Sequence, residues 1–398
     1  MKSDKTTPNV PTLRFKQYHC PWSTYHLSDI AEVVGGGTPD TTVPSLWNGD
    51  IQWFTPTEVG HQKYVSKSAR TITQLGLQKS SAKKLPAGSI LLSSRATIGE
   101  CSIAQRECTT NQGFQNLIPK NDTNNEFLYY LAQTKKHHFI KYASGSTFLE
   151  ISNSEIRKTK CTVPGTEEQT QIAAFLSALD GRISVQNKII EDLKVLKKEL
   201  CAKLFGSPLC GRIIAIEQVA DIYGGYAFNS KAYVNKGKYK IVTIGNVTGD
   251  KYISGNYNTI DRLPNNIQKP QVLSKGDILV SLTGNVGRIS IVDGDEYLLN
   301  QRVAKLGIED DLTKEYIYQY LSNSSFEKDM INAGQGAAQK NIKNQDILSY
   351  CIRFPTDQTA LENIDKLLSL YDMRITSEKA ILSNLILQKS YYLRAMFI

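Results

Sequence analysis

Residues 172–204 read IAAFLSALDGRISVQNKIIEDLKVLKKELCAKL, and this stretch decides the architecture of the chain. Its apolar residues recur at alternating steps of four and three, a period of 3.5 residues that holds for 33 residues. This period is typical of the seam of a coiled coil. The apolar seam positions are Ile172, Leu176, Leu179, Ile183, Ile190, Leu193, Leu200 and Leu204. We therefore predict one long helix that packs against another helix.

The same pattern returns near the end of the chain, 192 residues later. Its apolar seam positions are Ile364, Leu368, Tyr371, Ile375, Leu382, Leu385, Tyr392 and Met396. The polar breaks also correspond, because Gln186 matches Glu378 and Lys197 matches Lys389. Two amphipathic helices that each pack on their own domain are an alternative, but the 3.5-residue period favours packing of the helices on each other.

The lysine breaks indicate the direction of pairing. A parallel pair in register would place Lys197 against Lys389, two like charges in a poorly solvated seam. An antiparallel pair sets each lysine against a different layer and lets its ammonium group reach solvent. We predict an antiparallel coiled coil, with two globular parts held at its ends and related by a pseudo-two-fold axis.

The globular parts are also duplicated. Residues 85–104 (LPAGSILLSSRATIGECSIA) match residues 273–292 (LSKGDILVSLTGNVGRISIV) at 8 of 20 positions without a gap. Chance would give about one identity at ordinary residue frequencies of ~5–7%. The segments LSDIAEVVGG at 27–36 and IEQVADIYGG at 216–225 repeat in the same way. The chain is therefore predicted to consist of two homologous halves of about 190 residues.

Short apolar runs separated by glycine-containing turns predict β-rich globular parts. We predict hairpins over 90–93 with 101–104 and over 278–281 with 289–292, a further strand in each half, and a helix near 125–142 and 313–332. The predicted fold class is α+β. The predicted domains are a first globular domain over 1–163, a helix over 164–206, a second globular domain over 207–354 and a helix over 355–398.

Composition narrows the function classes. Lys+Arg exceed Asp+Glu by 47 to 38, and 8 of the 9 net positive charges lie outside the two long helices, which favours a polyanionic partner for the globular parts.

The sequence contains no G-x-x-x-x-G-K-[ST] loop, no H-E-x-x-H motif and no C-x-x-C pair among its seven cysteines. We predict no catalytic residue, no metal site and no cofactor in this chain, and a reducing cytoplasmic compartment.

The candidate binding residues lie at turns that recur in both halves. Hydroxyl, amide and guanidinium groups are the usual donors to phosphates and base edges, and Asn or Gln can read adenine. Amides that cap strand ends, and aromatic residues that belong to a local core, are alternatives that remain open. The candidates in the first half are Thr38, Trp47, Ser93, Ser94, Arg95, Thr97, Asn111 and Gln112. Those in the second half are Tyr226, Phe228, Asn229, Lys231, Thr283, Asn285, Arg288, Asn300, Gln301 and Arg302.

Together these segments resemble a known family. The repeated domain starts at 27–37 and 216–225, the run LPAGSILLSSRATIG at 85–99, TNQGF at 110–114 and the stretch P-x-x-E-E-Q-x-x-I-A-x-F-L-x-x-L-D-x-R-I from Pro164 are similar to those of the specificity subunits of type I DNA restriction-modification systems. The second copy departs from the pattern, because Asp357-Gln358 replaces Glu-Glu-Gln, while Asp372-Met-Arg374-Ile375 is retained.

The resemblance implies a non-catalytic DNA-binding subunit. Each globular part would be a target recognition domain for one half of a bipartite, asymmetric duplex site, and the helices would set the spacer and dock two modification (methyltransferase) subunits. Restriction (endonuclease and translocase) subunits would join them, and S-adenosylmethionine, Mg and ATP would belong to these partners. A self-contained DNA methyltransferase or nuclease, or a purely structural coiled-coil adaptor, is the alternative.

Overall fold

The computed structural model describes residues 9–120, 122–145, 149–206, 211–334 and 341–398. Its contacts divide the chain into two units. Unit 1 comprises residues 1–186 and 382–398, and unit 2 comprises residues 187–381. None of the helices in the described ranges has the length and apolar character that a membrane span requires.

Unit 1 contains a five-stranded sheet, a three-stranded sheet and a two-stranded ribbon. Its elements are β1 (Ser23–His26), α1 (Leu27–Ile30), β2 (Ala31–Gly35), β3 (Trp47–Phe54), β4 (Tyr64–Val65), β5 (Arg70–Ile72), α2 (Gln74–Gln78), β6 (Ile90–Leu92), β7 (Cys101–Ala104), β8 (Cys108–Thr110), β9 (Gln115–Pro119), α3 (Asn125–Thr134), α4 (Lys136–Lys141), α5 (Asn153–Lys158), β10 (Lys160–Val163) and the start of α6 (Thr166–Gly206). Single 3-10 turns occupy Pro44–Leu46 and Pro56–Glu58. The sheet orders are β2-β9-β6-β7-β4, β5-β3-β8 and β1-β10.

Unit 2 has a similar arrangement, with two four-stranded sheets and a two-stranded ribbon. It holds the rest of α6 and then β11 (Arg212–Ala215), β12 (Asp221–Gly224), β13 (Tyr239–Val242), β14 (Asn258–Ile260), β15 (Val272–Leu273), β16 (Ile278–Ser281), β17 (Ile289–Ile291), β18 (Tyr297–Leu299), β19 (Val303–Gly307), α7 (Asp311–Leu321), α8 (Ser324–Ala333), α9 (Asn344–Leu348), β20 (Cys351–Phe354) and most of α10 (Gln358–Ala395), whose last turns belong to unit 1. Single 3-10 turns occupy Ile216–Gln218, Ser230–Ala232 and Lys269–Gln271. The sheet orders are β12-β19-β16-β17, β14-β13-β18-β15 and β11-β20.

The strand at the centre of each main sheet is buried on both faces. In β6, Ile90 and Leu92 join the cluster under helix α3, while Leu91 faces the cluster under the second sheet. In β16, Ile278 and Leu279 divide in the same way between two clusters. Burial on both faces explains why these strands are continuous apolar runs and not alternating ones.

The two predicted hairpins are confirmed, because β6 pairs with β7 and β16 pairs with β17, both antiparallel. The predicted further strands are β9 and β19. The prediction of one continuous helix after them is wrong in both halves. The helix is interrupted at Lys135, between α3 and α4, and at Ser322 and Asn323, between α7 and α8. The break allows Phe139 of α4 and Phe326 of α8 to be buried completely in their cores.

The long helices pair within each unit, and the pairing is antiparallel as predicted. In unit 1, the rings of Phe175 and Tyr392 meet with centroids 4.9 Å apart, and Lys389 Nζ lies 2.7 Å from Asp180 Oδ1. As the residue number increases along α6, the number of the contacting residue in α10 decreases, so the two helices are antiparallel. In unit 2, Lys197 Nζ donates to Asp372 Oδ1 at 2.6 Å.

All sixteen predicted apolar seam residues are buried or half-buried. The expectation that the seam lysines reach solvent is wrong. The side chains of Lys197 and Lys389 are only 13% and 21% exposed, because each ammonium group pairs with an aspartate of the other long helix. A buried charge is tolerated when an opposite charge and further hydrogen bonds accompany it.

Candidate nucleic-acid interface

The turns that carry most of the predicted binding residues meet at one edge of unit 1. Strands β2, β3, β6 and β8 all end there, and backbone hydrogen bonds join the turns that follow them. Gly37 N donates to Thr110 O at 2.9 Å, Asn111 N to Phe54 O at 3.0 Å, and Ser94 N to Gly113 O at 2.8 Å. We call residues 36–38, 55–57, 93–99 and 111–114 the first edge.

Unit 2 builds the equivalent edge. Gln301 N donates to Tyr226 O at 3.0 Å, Asn300 N to Val242 O at 3.1 Å, and Leu282 N to Arg302 O at 3.0 Å. We call residues 225–229, 243–246, 282–288 and 300–302 the second edge. The sequence repeat therefore becomes a structural repeat, and it assembles residues that are far apart in the chain.

Glycine permits the closest contact at each edge. A Cβ atom on Gly36 would lie 1.9 Å from Asn111 O, and one on Gly225 would lie 2.0 Å from Asn300 O. No side chain fits at such distances, so these two positions require glycine. The same two turns therefore touch in both units, which explains why a Gly-Gly pair stands at the end of β2 and again at the end of β12.

Five predicted residues of the first edge present polar groups at its surface. The Thr38 hydroxyl donates to Gln112 Oε1, and the Asn111 side chain accepts from Gly113 N at 2.9 Å. Thr97 is exposed and donates to Pro56 O at 3.3 Å. Arg95 is half-buried, and its Nε donates to Glu150 Oε2 at 3.1 Å. The edge thus carries hydroxyl, amide and guanidinium groups together.

The other three predicted residues of the first half are buried. Ser93 and Ser94 are completely buried, and the Ser93 hydroxyl donates to Arg95 O at 2.8 Å. Trp47 is 6% exposed, packs edge-on against Trp53 with centroids 5.0 Å apart and donates to Asp40 O. These side chains hold the turns in place and are not on the surface, so the local-core alternative describes Trp47.

At the second edge, the residues after β12 are mostly accessible. Tyr226 and Phe228 are half-buried, pack together with centroids 4.9 Å apart, and the Tyr226 hydroxyl donates to Asn266 Oδ1 at 2.7 Å. Asn229 and Lys231 are exposed, and Asn229 Oδ1 accepts from Lys231 N at 3.0 Å. This segment combines aromatic faces with a cationic group.

The remaining predicted residues of unit 2 lie on its β16–β17 and β18–β19 turns. Asn285, Gln301 and Arg302 are exposed, and Asn300 and Thr283 are half-buried. The Thr283 hydroxyl is buried without a hydrogen-bond partner in the described part of the chain. Exposed amide and guanidinium groups are thus present here as well.

Arg288 forms an ion pair with a helix that follows its turn. Its Nε donates to Glu327 Oε1 of α8 at 3.2 Å. The equivalent positions in unit 1 are Glu100 and Lys136, which also form an ion pair, with the charges reversed. The ion pair therefore joins the turn to a following helix in both units, with either sign of charge on the turn.

Sequence reasoning missed a second polar cluster in each unit, between the globular part and the long helices. The first junction consists of Lys63, Glu126, Tyr130, Ser177, Asp180 and Lys389. The second junction consists of Lys251, Glu315, Gln319, Ser369, Asp372 and Lys197. The members correspond one to one, at offsets of 188–189 residues in the globular parts and 192 residues in the helices.

In the first junction, Lys63 Nζ donates to Glu126 Oε2 at 3.0 Å and to Ser177 Oγ at 2.5 Å. Burial alone would raise the pKa of Glu126, but hydrogen bonds from Ser177, Tyr64 and Lys63 outweigh burial and lower it. Glu126 therefore stays ionised as the acceptor that joins the globular part to α6.

The same junction reaches the end of α10. Tyr130 OH donates to Asp180 Oδ2 at 2.6 Å, and Lys389 of α10 pairs with the other oxygen of that carboxylate. One aspartate thus links the globular part with both long helices.

In the second junction, Asp372 accepts two hydrogen bonds and lies beside a second lysine. Lys197 Nζ donates to it at 2.6 Å, Gln319 Nε2 at 2.8 Å, and Lys251 Nζ lies 3.7 Å away. Burial would lower the pKa of Lys251, but Glu315 and Asp372 outweigh burial and raise it. Asp180 and Asp372 stand in the LDGRI and YDMRI segments, so the repeat itself was the signal that could have found them.

The described residues contain no group of three or more His, Cys, Asp or Glu side chains placed to hold a metal ion. Four of the six described cysteines are buried, and burial raises the pKa of Cys161 and of Cys201 to about 11. Such thiols are protonated at neutral pH and pack as small apolar groups.

The sequence is similar to those of known specificity subunits. It is 39% identical over 188 residues to the type I restriction enzyme MjaIX specificity subunit of Methanocaldococcus jannaschii, which covers 46% of this chain and 44% of that protein. It is 28% identical over 188 residues to the EcoR124I/EcoR124II specificity subunit of Escherichia coli, which covers 46% of this chain and 45% of that protein. The matched region thus spans about half the length of these relatives.

The fold matches that of a solved structure. The S subunit of a type I restriction-modification system from M. genitalium aligns over 98% of this chain and 99% of its own, with a TM-score of 0.57 and 16% sequence identity. The family model for the type I restriction modification DNA specificity domain matches twice, at residues 20–195 and 212–386. Because these two matches cover far more than half of its length, the chain belongs to the family of type I restriction-modification DNA specificity subunits.

Proposed function

We propose that this chain selects the DNA target of a type I restriction-modification enzyme, with each edge reading one half of a bipartite, asymmetric duplex site. The observation that carries the proposal is that one edge geometry is built twice and presents different side chains each time. Two such readers on one chain bind a composite site far more tightly than either alone, provided that both can engage it together.

The chemistry of the edges supports this function. Exposed amides such as Gln112 and Gln301 can donate to and accept from base edges, while Arg302 and Lys231 can neutralise phosphates. The positive charge outside the long helices adds a general attraction to the duplex.

In this proposal the chain performs no chemistry itself. Two modification (methyltransferase) subunits dock on the long helices, restriction subunits join the complex, and S-adenosylmethionine, Mg and ATP belong to these partners. Apolar residues that stay exposed at equivalent helix positions support docking: Ile189 and Ile381 are 37% and 42% exposed, and Val195 and Leu387 are 53% and 66% exposed. The proposal places the protein in the cytoplasm, where chromosomal DNA is accessible.

The test is a mobility-shift selection with the full chain and its cognate modification subunit on DNA with a randomised core. We expect two defined half-sites separated by a fixed spacer, and affinity that falls as salt rises. Methyl transfer from labelled cofactor by the purified chain alone would support the self-contained enzyme instead. DNA binding that depends neither on salt nor on the edges would support the structural adaptor.

A further inference from the structure

We propose that two buried ion pairs, Lys389–Asp180 in unit 1 and Lys197–Asp372 in unit 2, fix the heptad register of the two long helices, and that these four residues are therefore positioning residues for spacer selection. The spacer part of this inference rests on the proposed function. The register part concerns the protein alone.

The two pairs specify the same antiparallel register. In each, the lysine of one long helix bonds the aspartate of the other at 2.7 or 2.6 Å. The two residue numbers of each pair add to the same total, so one alignment of the helices satisfies both pairs.

The apolar seam alone does not prevent such a slip. Apart from Lys197, Lys389 and the polar breaks Gln186 and Glu378, its positions are mostly Ile and Leu, so a shift of one heptad again sets apolar residues against apolar residues at those positions. The same shift moves each lysine by ~10 Å along the helix, at 1.5 Å per residue. Both lysines and both aspartates would then lose their partners in a poorly solvated seam, which is strongly unfavourable.

The junctions connect this register to the DNA-reading parts. Asp180 accepts from Tyr130 of α3, and Asp372 accepts from Gln319 of α7. Lys63 and Lys251 join the same clusters, and their carbonyl groups accept from Ile103 and Ile291 of the main sheets, both at 2.7 Å. The aspartate that sets the helix register in each unit thus also holds the globular part of that unit.

The register test uses disulfide mapping in full-length protein from which Cys20, Cys210 and Cys351 have been removed. One version carries Phe175→Cys with Tyr392→Cys, the in-register pair, and another carries Phe175→Cys with Leu385→Cys, which is one heptad out of register. Each cysteine version is combined with one of three sets of apolar replacements. These are the double variant Lys389→Leu/Asp180→Leu, the double variant Lys197→Leu/Asp372→Leu, and the four-residue variant that carries both. Replacing both members of a buried pair by apolar residues preserves folding in other proteins, so loss of register is separable from unfolding.

We expect only the in-register disulfide when the pairs are intact, and both disulfides when the four residues are replaced. The matched control Glu191→Leu/Lys194→Leu removes an ion pair from the exposed face of α6 and should leave the in-register disulfide alone. The conservative variant Asp180→Glu/Lys389→Arg should keep the register. If the four-residue variant folds and forms only the in-register disulfide, the inference is wrong. If the four-residue variant does not fold, the two double variants are tested in the same way, and the same result in both would overturn the inference.

The spacer test measures affinity, with modification subunits present, for duplexes whose half-sites are separated by varied numbers of base pairs. One base pair shifts a half-site by ~3.4 Å and about a tenth of a turn. We expect the preference for the best spacer over its neighbours to fall about tenfold in the four-residue variant and to persist in the control. An unchanged preference would contradict the spacer role. Absence of any preference in the unmodified chain would contradict the proposed function, and the disulfide result would still decide the register.

Discussion

Units 1 and 2 agree in their scaffold and differ in the sheet beside it. The central strands of the main sheets, the edges and the junctions occupy equivalent positions in the two units, whereas β3 has eight residues and β13 has four. Unit 1 fills this region with Trp47, Trp53 and Arg70, whose guanidinium carbon lies 3.6 Å from the Trp47 ring centroid. The equivalent segment of unit 2 is rich in lysine. The duplication is retained where it positions the edges and has diverged next to them, as expected of two readers of different sequences.

The junctions differ at one position, where Tyr130 of unit 1 corresponds to Gln319 of unit 2. Tyr130 gives Asp180 a single hydroxyl donor, while Gln319 donates to both Glu315 and Asp372 and leaves its own Oε1 buried without a partner in the described part of the chain. Asp372 is also the less exposed aspartate, at 8% against 18%. The second junction therefore depends more heavily on its aspartate.

The largest effect is expected from Asp372→Asn, which leaves Lys197 and Lys251 buried near a neutral amide. We expect the free energy of unfolding to fall by about 3–5 kcal/mol. Asp180→Asn should cost about 1–3 kcal/mol, because it leaves one lysine and one hydroxyl donor without a charged acceptor, at a more exposed site.

Urea unfolding can separate the two, because all three tryptophans (Trp22, Trp47 and Trp53) belong to unit 1. Tryptophan emission should report Asp180→Asn, and far-ultraviolet circular dichroism should report Asp372→Asn. The control Asp192→Asn changes an exposed aspartate of α6 and should leave both curves unchanged. Equal losses for the two junction variants would contradict the difference between the junctions.

The next effect concerns the edges. Gln112→Ala should weaken binding to the first half-site by about 1–3 kcal/mol and leave the second unaffected, and Gln301→Ala should do the reverse. Affinities for duplexes in which one half-site at a time is randomised provide the measurement. Arg95→Ala should likewise weaken the first half-site only. Equal losses at both half-sites would mean that the variant has damaged the fold and not the reading of bases.

The sequence predicted what depends on local pattern. The seam of the helices, their antiparallel direction and the hairpins followed from periodicity and from the position of two lysines. The partners of those lysines did not, because Asp180 and Asp372 lie just outside the seam pattern. Lys63 and Glu126 could not be paired from sequence, since only the tertiary fold brings residues so distant in the chain together. Ser93, Ser94 and Trp47 have the chemistry of DNA-binding residues, and only packing shows that their side chains are buried.

A smaller effect is expected at the equivalent turn positions Ala96 and Gly284, which both have positive φ, at 63° and 71°. Alanine is disfavoured there by about 1–2 kcal/mol, whereas glycine is not. Gly284→Ala should therefore lower the free energy of unfolding by about 1–2 kcal/mol, since its Cβ would also meet Ile244 Cδ1 at 3.2 Å. Ala96→Gly should raise the free energy of unfolding by up to about 1 kcal/mol. This gain is smaller than the loss expected for Gly284→Ala, because glycine also has more conformational entropy in the unfolded chain. Urea midpoints for the two variants that move in the same direction would refute this comparison.

The smallest effect concerns the ion pairs whose charges are reversed between the units, Glu100–Lys136 and Arg288–Glu327. Their side chains are 35–43% exposed, so solvent screens each pair and about 0.2–1 kcal/mol is expected from it. Glu100→Arg alone should lose the attraction and set two cations together, whereas Glu100→Arg/Lys136→Glu recreates the polarity of unit 2 and should recover stability. A double-mutant cycle at low and high salt measures the coupling, which should weaken as salt rises. Recovery in the double variant would mean that the contact between the turn and α4 requires complementary charges but not a particular sign. A double variant no more stable than Glu100→Arg alone would leave the reversed pairs without a structural explanation.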